Sequence, residues 1–178
     1  MRLGIIGAGR VGTSFVLAMP SAVEGILCST KEHTTQRAQS LKVKAYTDGA
    51  ALLRNCDVLL LTVRDDVIGS VAASLADSLT GADRRETCIL HCSGAMDLSS
   101  LEPLSALGYS VGSLHPLQSF AARREICCAI FIWLSTAMIG PRKRLCFSSR
   151  PWTVNLFLCR RKNASSITQP PVFVPITS

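Results

Sequence analysis

Apolar and polar positions alternate in blocks along residues 1–120. Short apolar runs recur at "RLGII" (Arg2–Ile6), "AVEGILC" (Ala22–Cys28), "DVLLLTV" (Asp57–Val63), "TCILHC" (Thr87–Cys92) and "YSVGSLH" (Tyr109–His115). Asp57–Val63 is a continuous apolar run, as expected for a strand covered on both faces. Between them lie segments with helical periodicity. One runs from about Val11 to Met19, where Pro20 stops it. Others are "TTQRAQSL" (Thr34–Leu41), "GAALLRN" after a capping Asp48, Val67 to about Leu79 after Asp65 or Asp66 as cap, and "LSSLEPLSALG" ended by Gly108. "VKAY" (Val43–Tyr46) is expected to be a further short strand. Strands alternating with helices predict an α/β fold, a doubly wound parallel sheet with right-handed crossovers and helices on both faces.

The first turn of this pattern carries candidate chemistry. Gly7-Ala8-Gly9-Arg10-Val11-Gly12 is a G-x-G-x-x-G that follows a predicted strand and opens a predicted helix. Gly7 permits the tight turn, Gly9 lets backbone approach a pyrophosphate, and Gly12 lets helix and strand pack closely. The helix start offers unpaired N–H groups and partial positive charge to an anion. A glycine-rich turn of an ordinary α/β domain is the plainer alternative. Where the second strand ends, a carboxylate would favour NAD. This chain has Ser29, Thr30 and Lys31 there, donors suited to a 2′-phosphate, so NADP is favoured and NAD stays open. Glu32, close by, is the feature that would reverse this preference.

Ligands in open α/β sheets bind at the carboxyl ends of the strands. Val63 and Arg64 are expected beside the adenosine ribose and pyrophosphate, and His91 and Ser93 near a nicotinamide. His115 is the first candidate for a proton donor to a carbonyl or imine, and Ser93 the second, as a hydrogen-bond donor. The plainer readings are a strand-end histidine that caps backbone and a Ser-Gly turn. No G-x-S-x-G surrounds Ser93, which argues against a serine hydrolase.

Charge divides the chain. The net charge is +7, yet residues 1–120 hold 10 Lys+Arg against 11 Asp+Glu, while 121–178 hold nine Lys+Arg against Glu125 alone. The same 58 residues hold one glycine, Gly140, and five of the eight prolines. The basic character therefore belongs to the last third. The 15-residue apolar run Ile126–Gly140 falls short of the roughly 18–20 residues that span a bilayer. The eight cysteines form no C-x-x-C pair and match no zinc or disulfide framework, so no metal site is expected. Free cysteines in strand-like runs and an opening strand in place of a signal peptide point to a cytoplasmic protein.

"GIIGAGRVGTSF", "DVLLLTVRDDVI" and "ILHCSGAMDLSSLEPLSALGYSVGSLHPLQSF" together resemble bacterial Rossmann-like proteins with a C-terminal domain of unknown function, relatives of pyrroline-5-carboxylate reductase and of deazaflavin-dependent NADP reductases. The resemblance covers residues 1–120, taken as the dinucleotide-binding domain. It implies an NAD(P)-dependent oxidoreductase of unassigned small substrate and supports Gly7, Gly9 and Gly12 as cofactor residues. It places His91, Ser93 and His115 where a second, helical domain would face them. It also implies a homodimer, in the intact two-domain form only.

Residues 121–178 do not resemble that second domain and are expected to be an irregular tail. Permissible codons for "SSITQPPVFVPIT", read one base back, give V-H-H-A-A-A-C-F-C-S-N-Y. This resembles the family's H-A-A-A and S-N-Y helix motif. The tail thus reads as out-of-frame sequence after a frameshift near Ala121–Glu125, leaving a truncated protein with weak cofactor binding and little turnover. Two alternatives are a cofactor-binding regulatory module without catalysis and a nucleic-acid or membrane-surface binder acting through the basic tail. Trp133 and Trp152 form no basic-aromatic motif, which ranks the last of these lowest; neither nucleic acid nor membrane is the expected partner.

Overall fold

The computed structural model describes residues 1–79 and 86–114 in full, and the backbone of 115–116 and 132–133. Strands β1 (Leu3–Ile6), β2 (Val23–Leu27), β3 (Val58–Leu61), β4 (Cys88–His91) and β5 (Ser110–Ser113) form one parallel sheet in the order β2-β1-β3-β4-β5. Helices α1 (Arg10–Ala18), α2 (Lys31–Leu41), α3 (Gly49–Arg54), α4 (Asp65–Asp77) and α5 (Glu102–Ala106) connect them. A two-residue antiparallel pairing of β6 (His115–Pro116) with β7 (Ile132–Trp133) follows. The apolar run Ile126–Gly140 otherwise lies outside the described residues, as do 134–178.

The side chains of β1, β3 and β4, whose runs are almost wholly apolar, still part by period two. Leu3, Ile5, Leu60 and Leu90 face one way and pack with Phe15 and Val16 of α1 and Ala38 of α2. Ile6, Leu59, Leu61 and Ile89 face the other way, against Leu52 and Leu53 of α3, Ile68 and Leu75 of α4, and Leu104 of α5. With both faces covered, the strand positions that face the helices are largely apolar. Each fully buried Ile, Leu or Phe contributes about 1.5–3 kcal/mol from removal of apolar surface from water.

Five expectations need correction. Val43–Tyr46 is no strand but a single parallel bridge, Ala45 to Ile26. The chain leaves α2 through Lys42 at φ 56° and meets β2 only where the Ile26 N–H donates to the Lys44 carbonyl and the Tyr46 N–H to the Ile26 carbonyl, both 2.9 Å. α2 begins at Lys31, earlier than Thr34, because the Thr30 hydroxyl accepts from the His33 N–H (3.1 Å) and caps it. Arg64 occupies the N-cap position of α4 without a side-chain capping bond, and Asp65 and Asp66 lie inside its first turn, where their charge suits the helix dipole. The helix expected over 98–108 splits into a 3-10 turn, Leu98–Leu101, capped by Asp97, and α5. Pro103 has no N–H to continue the first segment and lies in the first turn of the second, where that N–H is not needed. β5 stops at Ser113, so His115 falls in β6 instead of in the fifth strand.

The Ala45 bridge has a topological meaning. It marks the place of a vestigial strand outside β2. Counting it, the order becomes third-second-first-fourth-fifth-sixth, the two-halved dinucleotide arrangement whose switch point falls between β1 and β3.

Candidate functional site

The crevice at that switch point is built by the glycine loop. Gly7 stands at φ 97°, a conformation that costs glycine little and an L side chain much. A Cβ there would also press on Val63 Cγ1 at 2.8 Å. Gly12 lies on α1 directly over the Gly7 carbonyl. A Cβ at Gly12 would overlap that oxygen and come within 2.6 Å of Thr62 Oγ1. Gly9 differs from both: a Cβ there meets no atom within 4 Å. Gly7 and Gly12 therefore serve the fold, and Gly9 keeps empty space in front of the first turn of α1. An anion needs that arrangement to reach the free N–H groups of the helix start.

The loop is braced from two other elements. Thr62, buried at the end of β3, donates through Oγ1 to the Gly7 carbonyl, in a short contact, and lies 3.3 Å from the Ile6 carbonyl. Arg37 of α2 donates through Nε (3.1 Å) and Nη2 (2.9 Å) to the Ala8 carbonyl, and Nη2 also contacts Thr13 Oγ1. The Thr13 hydroxyl donates to the same carbonyl at 3.1 Å. Sequence reasoning missed Thr62 and Arg37. The only trace of Arg37 is its place on one helical face with Thr30 and Thr34; Thr62 looks like one more strand residue.

The expected residues fall as follows. Gly7, Ser29 and Val63 line one cleft of about 630 Å3 with Cys28, Thr47 and Val67, roofed by α4. Thr30 is committed as the cap of α2, and Lys31 is exposed at its first turn. Arg10 is exposed at the start of α1, and Val11 packs against the core on the α1–α2 face. Arg64 is turned to Asp66, with Nη2 2.7 Å from Oδ2, both groups exposed.

At the far end of the crevice, Ser93 Oγ accepts from the Ala95 and Met96 N–H groups, both 3.1 Å, and so closes the turn after β4. Its proton remains to donate. His91 is 0 % exposed, and neither ring nitrogen has a hydrogen-bond partner among the described residues. Burial lowers its pKa; the Asp97 backbone and the carboxylates of Asp65 and Asp97 pull more weakly the other way. Asp97 is itself held low by the Ser99 hydroxyl and N–H. The thiols of Cys56 and Cys92 are both pushed up to about 12 by burial, which makes them inert as nucleophiles at neutral pH. The backbone of His115 follows β5, since the Leu114 N–H closes on the His91 carbonyl at 2.8 Å. The His115 side chain lies outside the described residues. No His/Cys/Asp/Glu cluster among the described residues could hold a metal ion, and none of their helices is long and apolar enough to cross a membrane.

A strand-loop-helix with these three glycine roles, at the switch point of a two-halved parallel sheet, defines a dinucleotide-type α/β domain. A family model for a Rossmann-like domain matches residues 1–116, and the chain belongs to that family. The match stops five residues before the change of composition at 121. No curated protein matches the chain. Among solved structures it is similar to a Bacteroides fragilis protein described as an NADP oxidoreductase, at 19% identity and TM-score 0.58, over 76% of this chain and 52% of that one. It is also similar to a pyrroline-5-carboxylate reductase of Coxiella burnetii, at 15% identity and TM-score 0.53, over 67% and 45%. A Synechocystis arogenate dehydrogenase matches at 19% identity and TM-score 0.52, over 68% and 43%. These likenesses show the fold, and the chain spans about half the length of the structures it matches or less.

Two outcomes follow from this geometry. Gly12→Ala is expected to destabilise the domain by about 1–3 kcal/mol through overpacking. Gly9→Ala should leave the melting temperature unchanged and weaken dinucleotide binding about tenfold or more. Thermal melts beside binding titrations check the pair. The second outcome concerns His91, whose folded pKa lies below that of the unfolded chain. Its contribution is complete above about pH 6.5 and is lost as the pH falls below it, at up to about 1.4 kcal/mol per unit, until the folded ring titrates. Urea unfolding between about pH 7 and 5 should show this slope in the native chain and a flatter one in His91→Leu.

Proposed function

We propose that this chain carries the cofactor half of an NAD(P)-dependent oxidoreductase, with NADP preferred, whose intact form acts on a small carbonyl or imine substrate. The open cradle at Gly9 carries this reading: a Cβ there would meet no atom within 4 Å, it lies at the start of α1, and its neighbours Gly7 and Gly12 have no room for a side chain. A dinucleotide bound there supplies a hydride. The chain's own residues do the rest. The start of α1 and Arg10 neutralise the pyrophosphate, and the cleft between Cys28, Ser29, Val63 and Val67 takes the adenosine. Ser29, Thr30 and Lys31 lie where a 2′-phosphate would need donors. His91 and Ser93 shape the nicotinamide end, and His115 is the proton donor.

The named relatives are oxidoreductases about twice the length this chain covers. In such two-domain folds the substrate pocket and dimer core fall largely in the second domain, and residues 121–178 carry no pattern for one. The polypeptide is therefore read as truncated by a frameshift, binding NADP(H) weakly and turning over little. A second reading, cofactor binding without chemistry, draws on Ser93, whose hydroxyl closes a turn, and on His91, which is sealed from solvent.

Titration of the full chain with NADPH, followed by nicotinamide fluorescence, should saturate without oxidation of the cofactor in the presence of small aldehydes and imines. A folded chain, shown by circular dichroism, that binds neither NADPH nor NADH would overturn the reading. Resequencing the encoding DNA from the Pro116 codon through the stop is expected to reveal one base gained or lost at codons 121–125. An intact frame would make the tail genuine and refute the truncation.

A further inference from the structure

Arg37 is unusual for a half-buried cation. It projects from α2 onto a backbone carbonyl, and no carboxylate among the described residues pairs with it. Its Nε and Nη2 are spent on Ala8 and Thr13, while Nη1 has no hydrogen-bond partner among the described residues. Partial burial of a charge without a counter-charge is costly, and an anionic ligand would complete it.

The position is specific. The Thr34 hydroxyl, on the same helical face, accepts from the Cys28 N–H at 2.9 Å and donates to the Thr30 carbonyl at 2.7 Å, which ties this face to the end of β2. The Gly7 N–H donates to the Leu27 carbonyl at 2.8 Å, which ties the glycine loop to that same strand end. Arg37 therefore stands at the junction of the glycine loop and the end of β2, where the strand order puts the adenosine ribose. Around that junction, residues 7–12 and 28–37 hold the cations Arg10, Lys31 and Arg37 against one carboxylate, Glu32. A planar guanidinium fork matches a phosphate, whereas a ribose hydroxyl offers it no charge.

We infer that Arg37 both braces the phosphate loop and binds the 2′-phosphate of the dinucleotide, so that it, more than Lys31, sets NADP over NAD; this rests on the dinucleotide reading above. Part of its effect is positioning, through Ala8, and would be felt by both cofactors. The remainder is contact with the 2′-phosphate and would be felt by one.

The test titrates the full-length chain and its Arg37→Met and Arg37→Lys variants with NADPH and NADH, alongside thermal melts. Arg37→Met should raise the NADPH Kd about 10- to 100-fold, as expected for loss of a charge-assisted hydrogen bond, and the NADH Kd several-fold less. Arg37→Lys keeps the charge and loses the fork, and should fall between. If Arg37→Met does not fold, the same comparison on Arg37→Lys decides. Equal factors for both cofactors, or no loss, would overturn the inference while leaving dinucleotide binding in place. A native chain that prefers NADH overturns it as well, and one that binds neither cofactor overturns it together with the reading beneath it.

Discussion

The closeness of α1 to the ends of β1 and β3 governs the rest of the structure. Because Gly12 has no side chain, α1 settles onto the Gly7 carbonyl, and Thr62 reaches that oxygen from β3. Three elements from distant parts of the chain thereby share one atom. The turn at Gly7 needs its left-handed conformation because the chain must reverse within that space. Once these contacts are made, the start of α1 points across the crevice and Gly9 stands clear. The shape of the loop is thus a by-product of packing density, as expected where interiors are filled nearly to crystal density.

The site has two ends of different character. At the β2 end, backbone and side chains are stitched tightly by the Thr30, Thr34 and Arg37 face of α2, and positive charge accumulates. At the β4 end, polar groups are either committed to local turns, as Ser93 is, or sealed and without a partner among the described residues, as His91 is. An unpaired buried imidazole costs about 1–3 kcal/mol. Stable domains rarely retain such a cost without use.

Much of the fold was legible in the residues because a parallel sheet covered on both faces demands unbroken apolar runs, and "DVLLLTV" and "TCILHC" supply them. The glycine loop was legible because each of its three glycines answers a different steric need. Element ends were less so. Pro103 splitting the last helical segment and Thr30 capping α2 depend on local hydrogen bonds that several neighbouring residues could have made. Val43–Tyr46 has strand composition, yet it lies at the sheet edge beyond Lys42 and meets β2 through a single bridge at Ile26.

The sequence by itself determined the strand-helix alternation, the anion-ready loop and the break in character after residue 120, because these rest on local sterics, periodicity and composition. Only the tertiary structure decided what holds the loop. Thr62 lies 55 positions from Gly7, and Arg37 lies 29 from Ala8. No periodic pattern connects such pairs; they meet because parallel strands bring the ends of successive crossovers to one edge. The same assembly decided that His91 faces inward with no partner among the described residues, since the inward direction at the last position of a strand is set by the register of its neighbours.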